Sequence, residues 1–193
     1  MTRVIAGSAG GRRLSVPQGR DTRPTSDRAR EGLFGTVQAL YGPLDGAGVL
    51  DLYAGSGAVG LEALSRGAAR ALLVESDQRA VRVIRANIAA LGLPGADVAA
   101  DRVERVLPGG PPGPGPFDVV FADPPYAMPG EAVTGILAEL AGRGWLAAGA
   151  LVVVERSTRS GPVDWPGEYE QDRSRRYGEG TLWYGLATGA RPA

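Results

Sequence analysis

The sequence Val49-Leu50-Asp51-Leu52-Tyr53-Ala54-Gly55-Ser56-Gly57 runs directly into Ala58-Val59-Gly60-Leu61-Glu62-Ala63-Leu64, and this stretch decides the fold. Its first five residues predict a short buried strand, and the second segment predicts a helix. Gly55 and Gly57 allow the backbone between strand and helix to turn sharply and to approach a ligand without a Cβ in the way. The order of strand, glycine-rich turn and helix is typical of a site for a nucleotide-like ligand.

The glycines alone do not identify this ligand. Residues 55–60 also satisfy the G-x-G-x-x-G pattern of dinucleotide-binding enzymes, so NAD(P) and S-adenosylmethionine fit them about equally well. Asp51 favours S-adenosylmethionine, because its carboxylate can point out of the end of the strand toward an ammonium group, whereas it would repel a pyrophosphate. The amino acid half of S-adenosylmethionine carries such an ammonium group.

The composition excludes several kinds of chemistry. The 193 residues include no cysteine and no histidine, which excludes thiolate nucleophiles, thiolate zinc sites and the usual histidine base and metal ligand. All 21 basic residues are arginine, so lysine Schiff bases and the Walker A lysine are excluded as well. We expect no metal. Catalysis is left to carboxylates, hydroxyls, arginine and the backbone, and should depend on positioning more than on proton transfer.

The length and hydropathy of the chain indicate one globular domain with at most a small appendage, since 44% of the residues are hydrophobic. No apolar run approaches the roughly eighteen residues of a membrane span. The start of the chain also lacks the apolar core of a signal peptide. We therefore expect a soluble, cytoplasmic protein.

The charges are unevenly distributed although they sum to zero. Residues 1–40 carry seven arginines and three acids, whereas residues 41–155 carry eight arginines and thirteen acids. A basic arm on an acidic body suggests a polyanionic partner. Any single arginine fits an ordinary solvated surface as well, so nucleic-acid contact is an interpretation of the group. The candidate contacts are Arg3, Arg12, Arg13, Arg23 and Arg28.

Strand and helix patterns alternate along the rest of the chain. After the strand at 49–53, strands are predicted at 71–74, 96–100, 117–122 and 150–155, with a closing antiparallel hairpin at 168–177 and 181–187. Helices are predicted to begin at Ser26 or Asp27, at Asp77 and at Pro129. This alternation requires a parallel sheet covered by helices on both faces, with ligands at the carboxyl ends of the strands.

Two segments fall outside this alternation. Short β-type runs at 3–6 and 12–16 flank a glycine-rich turn and predict an N-terminal hairpin. Residues 108–116 are all proline or glycine, which predicts an exposed loop with no part in catalysis.

Acidic residues follow the second and third strands. Glu75 can accept hydrogen bonds from both hydroxyls of a ribose, in NAD and S-adenosylmethionine folds alike, although a surface salt bridge is the simpler alternative. Asp101 is a candidate acceptor for the adenine amino group. The full set of candidate cofactor-binding residues is Asp51, Tyr53, Gly55, Ser56, Gly57, Glu75, Ser76, Asp101 and Arg102.

A second motif, Asp123-Pro124-Pro125-Tyr126, stands at the end of the fourth strand. An exocyclic amine of a nucleobase is a poor nucleophile, because its lone pair is delocalised into the ring. If the Asp123 carboxylate and the Pro124 carbonyl each accept one N–H, the lone pair can point at a methyl sulfonium. The two prolines make this segment rigid, and Tyr126 can stack on a flipped base, an interaction worth roughly 1–3 kcal/mol.

Asp123, Pro124 and Tyr126 are therefore the candidate catalytic residues. A proline turn that merely ends a strand is the simpler alternative. This alternative is weaker when the tetrapeptide is considered together with the motif at 51–57, because one motif suits the methyl donor and the other suits the methyl acceptor.

The chain resembles the bacterial small-subunit rRNA guanine-N2 methyltransferases of the RsmD type. The resemblance covers residue 3 to about residue 187, and the basic N-terminal segment is its family-specific part. The proline and glycine run at 108–116 is not part of the family pattern. The shared motifs are Arg3-Val4-Ile5-Ala6-Gly7, Gly11-Arg12-Arg13-Leu14, Arg23-Pro24-Thr25-Ser26-Asp27-Arg28 with Glu31 and Leu33-Phe34, Asp51–Gly57, Glu75-Ser76-Asp77 and Asp123–Tyr126.

This resemblance implies a class I S-adenosylmethionine-dependent methyltransferase, with a Rossmann-like sheet of seven strands, an antiparallel C-terminal hairpin and a small N-terminal β-hairpin extension. Residues 1–24 would be an RNA-binding hairpin and loop, and residues 25–193 the methyltransferase domain. It implies S-adenosylmethionine as methyl donor and a guanine of 16S rRNA as acceptor, in the 30S subunit or its assembly intermediate. We expect a monomer. Carried over, Asp51, Gly55 and Gly57 hold the methionine part, Glu75 the ribose, Asp101 the adenine and residues 123–126 the guanine.

Three alternatives stay open. Another amino methyltransferase would act on adenine in DNA or on a protein glutamine, but the DNA enzymes usually carry a larger recognition domain and the glutamine enzymes usually have Asn in place of Asp123. A non-catalytic RNA-binding assembly factor would not need the intact acids and tetrapeptide. A dehydrogenase is the weakest alternative, because it leaves the tetrapeptide unexplained.

Overall fold

A seven-stranded mixed sheet organises the protein, in a computed structural model that describes residues 2–17 and 26–188. Its strands are β1 (Gly48–Leu52), β2 (Arg70–Val74), β3 (Ala96–Ala99), β4 (Phe117–Ala122), β5 (Leu146–Ser157), β6 (Tyr169–Tyr177) and β7 (Gly180–Ala187). Their spatial order is β3-β2-β1-β4-β5-β7-β6. The first five are parallel neighbours, and β7 and β6 add an antiparallel pair. The predicted α/β sheet with an antiparallel C-terminal hairpin is confirmed.

Helices cover both faces of the sheet: α1 (Asp27–Leu40), α2 (Ala58–Ser65), α3 (Gln78–Leu91), the short α4 (Val103–Val106) and α5 (Gly130–Gly142). Side chains alternate along a strand, so neighbouring residues enter different cores. In β1, Val49 packs with α1, α2 and α3, whereas Leu50 packs with α4 and α5. Within the described ranges, no helix is long and apolar enough to cross a membrane.

Local signals set the helix ends. The Ser26 hydroxyl accepts a hydrogen bond from the Ala29 amide and caps α1, which decides between the two predicted caps. Asp77 caps α3, and Gly92 ends it in the left-handed region at φ 64°. The start of this helix at Asp77 was predicted from the sequence.

Apart from β5, every strand end lies within one residue of the sequence prediction. β1 stops one residue early, because Tyr53 has a positive φ of 61°. β5 is longer than predicted, at 146–157 against 150–155, because Leu146 pairs with Phe117 of β4 and β7 pairs with β5 as far as Ser157. A pairing partner distant in sequence cannot be read from the local pattern of β5.

The N-terminal segment forms the predicted hairpin turn, but a single bridge between Arg3 and Arg13 takes the place of the predicted strands at 3–6 and 12–16. The Val4 amide donates to the Arg12 carbonyl at 2.9 Å. Three apolar side chains of this segment, Val4, Ala9 and Leu14, lie in the same core as α1, α2 and α3, with Val4 fully buried. The hairpin therefore shares its core with the sheet.

Buried polar groups of α2 hold the hairpin in place. Glu62 has no exposed surface, and its carboxylate accepts the Ile5 amide at 2.7 Å and the Ala6 amide at 3.0 Å. Ser65 accepts the Ala9 amide on its hydroxyl at 2.9 Å. Because Ser65 is the last residue of α2, the turn of the hairpin lies at the opposite end of this helix from the glycine-rich loop.

The proline and glycine run at 108–116 is mostly exposed, as predicted. Arg70 holds its end: one guanidinium nitrogen donates to the Gly115 carbonyl at 2.9 Å, and the guanidinium stacks on the Phe117 ring at 4.1 Å. These contacts anchor the run where it enters β4.

Gly7 is expected to be essential for docking the hairpin. A Cβ there would lie 1.8 Å from the Ser65 carbonyl oxygen, at a φ of +82°. Gly11 has nearly the same φ, +83°, but nothing within 4 Å of its Cβ position. We expect Gly11→Ala to lower the free energy of unfolding by about 1–2 kcal/mol for the left-handed conformation alone. Gly7→Ala should lose about 1–3 kcal/mol more through the clash.

Equilibrium urea denaturation followed by circular dichroism measures both variants. Equal destabilisation of the two would contradict the docking described for Gly7.

Candidate active site

Four acids line one edge of the sheet, at the carboxyl ends of four neighbouring parallel strands. Their order across the edge is Glu75 after β2, Asp51 in β1, Asp123 after β4 and Glu155 in β5. Carboxyl ends of parallel strands are where α/β folds bind their ligands. This edge therefore concentrates negative charge and favours a cationic ligand.

Strand register turns three of these acids to one face. Val49, Phe121 and Val153 pack in the core beneath α1, α2 and α3. Asp51, Asp123 and Glu155 each follow one of these residues by two positions, so they point to the same face. The sheet thus brings together side chains that are far apart in sequence.

Asp51 is almost fully buried, with 1% of its surface exposed. Burial raises the pKa of its carboxyl to about 8; the hydrogen bond from the Gly60 amide opposes this shift, and the negative charge of Glu75 adds to it. The Gly60 amide lies 2.9 Å from the carboxylate and fixes its position above the first turn of α2. A cation bound beside Asp51 would restore its negative charge.

Glu75 stabilises the glycine-rich loop through hydrogen bonds to backbone amides. One carboxylate oxygen accepts the Gly55 amide at 2.8 Å, and the other accepts the Asp77 amide at 2.8 Å. Each carboxylate oxygen has a second lone pair, so hydroxyl groups of a ligand can still be accepted. The loop after β1 and the start of α3 are therefore held in one arrangement.

Asn87 of α3 supports the same loop, a role that was not predicted from the sequence. Its side-chain nitrogen donates to the Ser56 carbonyl at 3.0 Å and to the Ser15 carbonyl at 2.9 Å. Its side-chain oxygen accepts the Ser15 amide at 2.8 Å. This side chain ties the returning arm of the hairpin to the glycine-rich loop. A polar residue within the apolar face of α3 is the signal that could have revealed it.

Tyr53 closes the side of the site nearest α4. Its hydroxyl donates to Glu104 at 2.9 Å, and burial raises the pKa of this hydroxyl. The contact draws α4 over the end of β1. Asp101 and Arg102 are exposed just before α4, where the Asp101 carboxylate accepts the Arg102 amide at 2.7 Å. Ser76, another of the predicted cofactor residues, is exposed beside Glu75.

The tetrapeptide continues the sheet for one residue and then turns. The Asp123 amide donates to the Leu52 carbonyl at 3.3 Å, which extends the pairing of β4 with β1. The Met128 amide donates to the Pro125 carbonyl at 2.8 Å. Arg156, missed by the sequence analysis, holds this turn from β5 by donating to the Met128 carbonyl at 2.8 Å.

The Asp123 carboxyl, held by this turn, has a raised pKa. Burial raises its pKa well above the usual range, and the negative charges of Glu155 and Asp51 raise it further. Pro124 is buried next to Asp123, whereas Tyr126 has 42% of its residue surface exposed. The acceptor groups of Asp123 and Pro124 therefore lie close to the exposed aromatic side chain of Tyr126.

Glu155 was also missed by the sequence analysis. The Tyr126 hydroxyl lies 3.4 Å from its carboxylate. The sequence contained a signal for this residue, because Glu155 directly follows the apolar run of β5 just as Glu75 directly follows the apolar run of β2.

The candidate RNA contacts separate into different environments. Arg3 and Arg13 face each other across the hairpin bridge, and Arg3 lies 3.5 Å from Asp27 at the start of α1. Arg13 and Arg28 are exposed. Arg12 instead donates to the carbonyls of the last turn of α3, at 2.7 Å for Leu91, and so has a structural role. Arg23 lies outside the described residues.

Arg30 joins the hairpin to α1 without any exposed surface. One guanidinium nitrogen donates to the Arg3 carbonyl and to the Asp27 carboxylate, both at 2.7 Å. Burial lowers its pKa, while Asp27 and Glu62 oppose that shift. Arg3, Arg13 and the start of α1 are consequently held next to one another.

Within residues 2–17 and 26–188, no group of three or more acids is arranged to hold a metal ion. The sheet edge has instead the features of a site for an organic cation. It combines a buried carboxylate, a braced glycine-rich loop and a rigid segment of acceptors.

Comparison with known proteins agrees with this geometry. The family model described as conserved hypothetical protein 95 matches residues 2–185. The ribosomal RNA small subunit methyltransferase D of Escherichia coli (strain K12) is 37% identical over 181 residues, which cover 92% of this chain and 85% of that protein.

Solved structures show the same architecture. A hypothetical protein of Thermus thermophilus is 38% identical, with a TM-score of 0.77 over 95% of this chain and 98% of that chain. An RNA methyltransferase from Salinibacter ruber, solved with S-adenosyl-L-homocysteine, shares the fold at a TM-score of 0.63 and 17% identity, over 88% of this chain and 97% of that chain. The predicted class I methyltransferase fold is confirmed. The chain therefore belongs to the conserved hypothetical protein 95 family and to the family of the small-subunit ribosomal RNA methyltransferases D that its sequence resembles.

Proposed function

We propose that the protein transfers a methyl group from S-adenosylmethionine to the exocyclic N2 amine of a guanine in 16S rRNA. The observation that carries this proposal is the adjacency of two motifs. The amide of Asp123 is hydrogen-bonded to the carbonyl of Leu52, the residue that follows Asp51. The buried acid for a cofactor and the acceptor segment for a nucleobase therefore lie at neighbouring strand ends on one face.

The cofactor half of the reaction uses the edge from β1 to β3. Asp51 binds the ammonium group of S-adenosylmethionine, with Gly55 and Gly57 giving the methionine part room to approach the backbone. Glu75 accepts the ribose hydroxyls and Asp101 the adenine amino group. The positive charges of the ligand reduce the repulsion among the acids of the edge. Tyr53, Ser56, Ser76 and Arg102 complete the cofactor site.

The acceptor half uses the tetrapeptide. The Asp123 carboxylate and the Pro124 carbonyl each accept one N–H of the target amine, and Tyr126 stacks on the flipped base. The new N–C bond forms as the C–S bond breaks with its electron pair on sulfur, and the amine passes one proton to the Asp123 carboxylate that accepts its N–H. Since the sulfonium is already a strong electrophile, positioning supplies most of the catalysis.

The RNA partner is supported by exposed arginines and by the relatives. Arg3, Arg13 and Arg28 lie around the open end of the hairpin and the start of α1. A relative that shares 37% identity is named a small-subunit ribosomal RNA methyltransferase. We assign residues 1–24 to RNA binding and residues 25–193 to catalysis. The substrate is the 30S subunit or its assembly intermediate, and the protein acts as a cytoplasmic monomer.

Asp123→Ala is expected to reduce methylation about a hundredfold or more, the scale of a lost positioned acceptor, because the amine is no longer held. The Kd for S-adenosylmethionine should stay within a few-fold of wild type. Single-turnover transfer of labelled methyl to undermethylated 30S subunits gives the rate, and calorimetry gives the affinity. Asp164→Ala, an exposed loop acid, serves as the control. Equal losses of binding and rate would contradict the role given to Asp123.

The affinity for S-adenosylmethionine is expected to increase with pH between 5.5 and 7.5. The pKa of Asp51 is raised to about 8, so the empty site holds a proton that an ammonium ligand must displace. Below that pKa, binding should tighten by up to about tenfold per pH unit. In Asp51→Asn the dependence should shrink to less than about twofold per unit. Calorimetry at several pH values measures the Kd for S-adenosylmethionine. The series ends below about pH 8, because the α-amino group of the ligand loses its own proton there. A wild-type Kd that is constant over this range would contradict the prediction.

Arg13→Ala is expected to weaken binding to 30S subunits without unfolding the protein, because this side chain is exposed. The slope of log K against log salt should fall by about one, as one phosphate contact is lost. Filter binding at a series of salt concentrations measures the slope. Arg143→Ala, which removes an exposed arginine paired with Glu139 on α5, is the matched control. An unchanged slope for Arg13→Ala would remove this arginine from the RNA contact.

A further inference from the structure

Glu155 stands beside the proposed amine-binding segment but has no role in the reaction proposed above. The last paired residues of β4 and β5 are Ala122 and Val154, and one position further the two chains carry Asp123 and Glu155. The charge of Glu155 contributes to the raised pKa of Asp123, which agrees with their proximity. Two carboxylates from adjacent strands therefore lie next to each other at the edge of the sheet.

The Glu155 carboxylate lies at the hydroxyl end of the Tyr126 side chain. The Tyr126 hydroxyl lies 3.4 Å from one carboxylate oxygen. Gly180 of β7 leaves the room for this contact, because a Cβ there would lie 2.7 Å from the same oxygen and 3.1 Å from the Tyr126 hydroxyl. A base stacked on Tyr126 would thus have its edge near both acids.

The two acids match the hydrogen-bonding edge of guanine. Guanine presents three N–H hydrogens side by side, two on N2 and one on N1, and carboxylates are acceptors when ionised. Asp123 and Pro124 account for the two hydrogens of N2, and the N1 hydrogen needs a third acceptor. In adenine and in 2-aminopurine, N1 is itself an acceptor, and its lone pair would face a negative carboxylate.

We propose that Glu155 accepts the N1–H of the target guanine and so selects guanine over bases whose N1 carries no hydrogen. This inference rests on the proposed function and adds a specificity-determining residue to it. A carboxylate that faces the N1 lone pair of the wrong base is repelled by it instead of accepting a hydrogen bond, which is the physical basis of such selection.

The test uses 2-aminopurine, which keeps the reactive N2 amine but lacks the N1 hydrogen. The nucleotide that the wild type methylates is first mapped. 30S subunits are then reconstituted with 16S rRNA that carries either guanine or 2-aminopurine at that nucleotide. Values of kcat/KM are compared at saturating S-adenosylmethionine. We expect the wild type to prefer guanine by about a hundredfold or more.

Glu155→Gln should reduce this preference at least about tenfold, because the amide of glutamine can donate to the bare N1 of 2-aminopurine. It should do so partly by improving activity on 2-aminopurine, which a merely structural role would not produce. Gly180→Ala is a second variant, since it displaces the carboxylate without removing its charge. Glu139→Gln, which changes a carboxylate paired with Arg143 on α5, is the matched control and should leave the preference unchanged.

The possible results separate the two proposals. A preference that is the same in Glu155→Gln, Gly180→Ala and wild type would overturn the assignment of Glu155 alone. So would a wild type that methylates both substrates equally. A wild type that transfers no methyl to the guanine substrate would overturn the proposed function, and the assignment of Glu155 with it.

Discussion

The pairing of β1 with β4 is the constraint on which the rest of the site depends. Leu52 pairs with Ala122, and the next residue, Asp123, continues the ladder through its amide. Because the side chains of a strand alternate between faces, this register points the carboxylates of Asp51 and Asp123 to the same side. A slip of one residue would turn Asp123 to the opposite face of the sheet and separate the two halves of the proposed reaction.

The same register is electrostatically unfavourable, because it brings four carboxylates that repel one another to one edge of the sheet: Glu75, Asp51, Asp123 and Glu155. Burial and mutual repulsion raise the pKa of Asp51 and of Asp123. In the proposed complex, a cationic cofactor and the N–H donors of guanine satisfy these acids. Ligands of opposite polarity relieve the repulsion among these acids, which gives the edge its selectivity for such ligands.

The N-terminal hairpin is linked to this edge by buried polar contacts. Glu62 and Ser65 hold its turn on α2, and Asn87 joins its returning arm to the glycine-rich loop. A helix that buries polar side chains must supply them with partners, and the backbone amides of the hairpin are those partners. Contacts made by the exposed arginines with RNA would therefore act on the same rigid body that holds the cofactor.

The sequence by itself determined the strand, turn and helix around Gly55, the caps at Ser26 and Asp77, and the candidate roles of Asp51, Glu75 and Asp123. Each of these follows from hydrophobic periodicity, turn chemistry or an acid at a strand end, which are local properties of the chain. Only the tertiary structure decided the length of β5, the structural role of Arg12 and the supporting positions of Asn87 and Glu155. Those depend on partners many residues away, such as Ser15 for Asn87 and Tyr126 for Glu155, and no local pattern encodes which distant segments the sheet brings together.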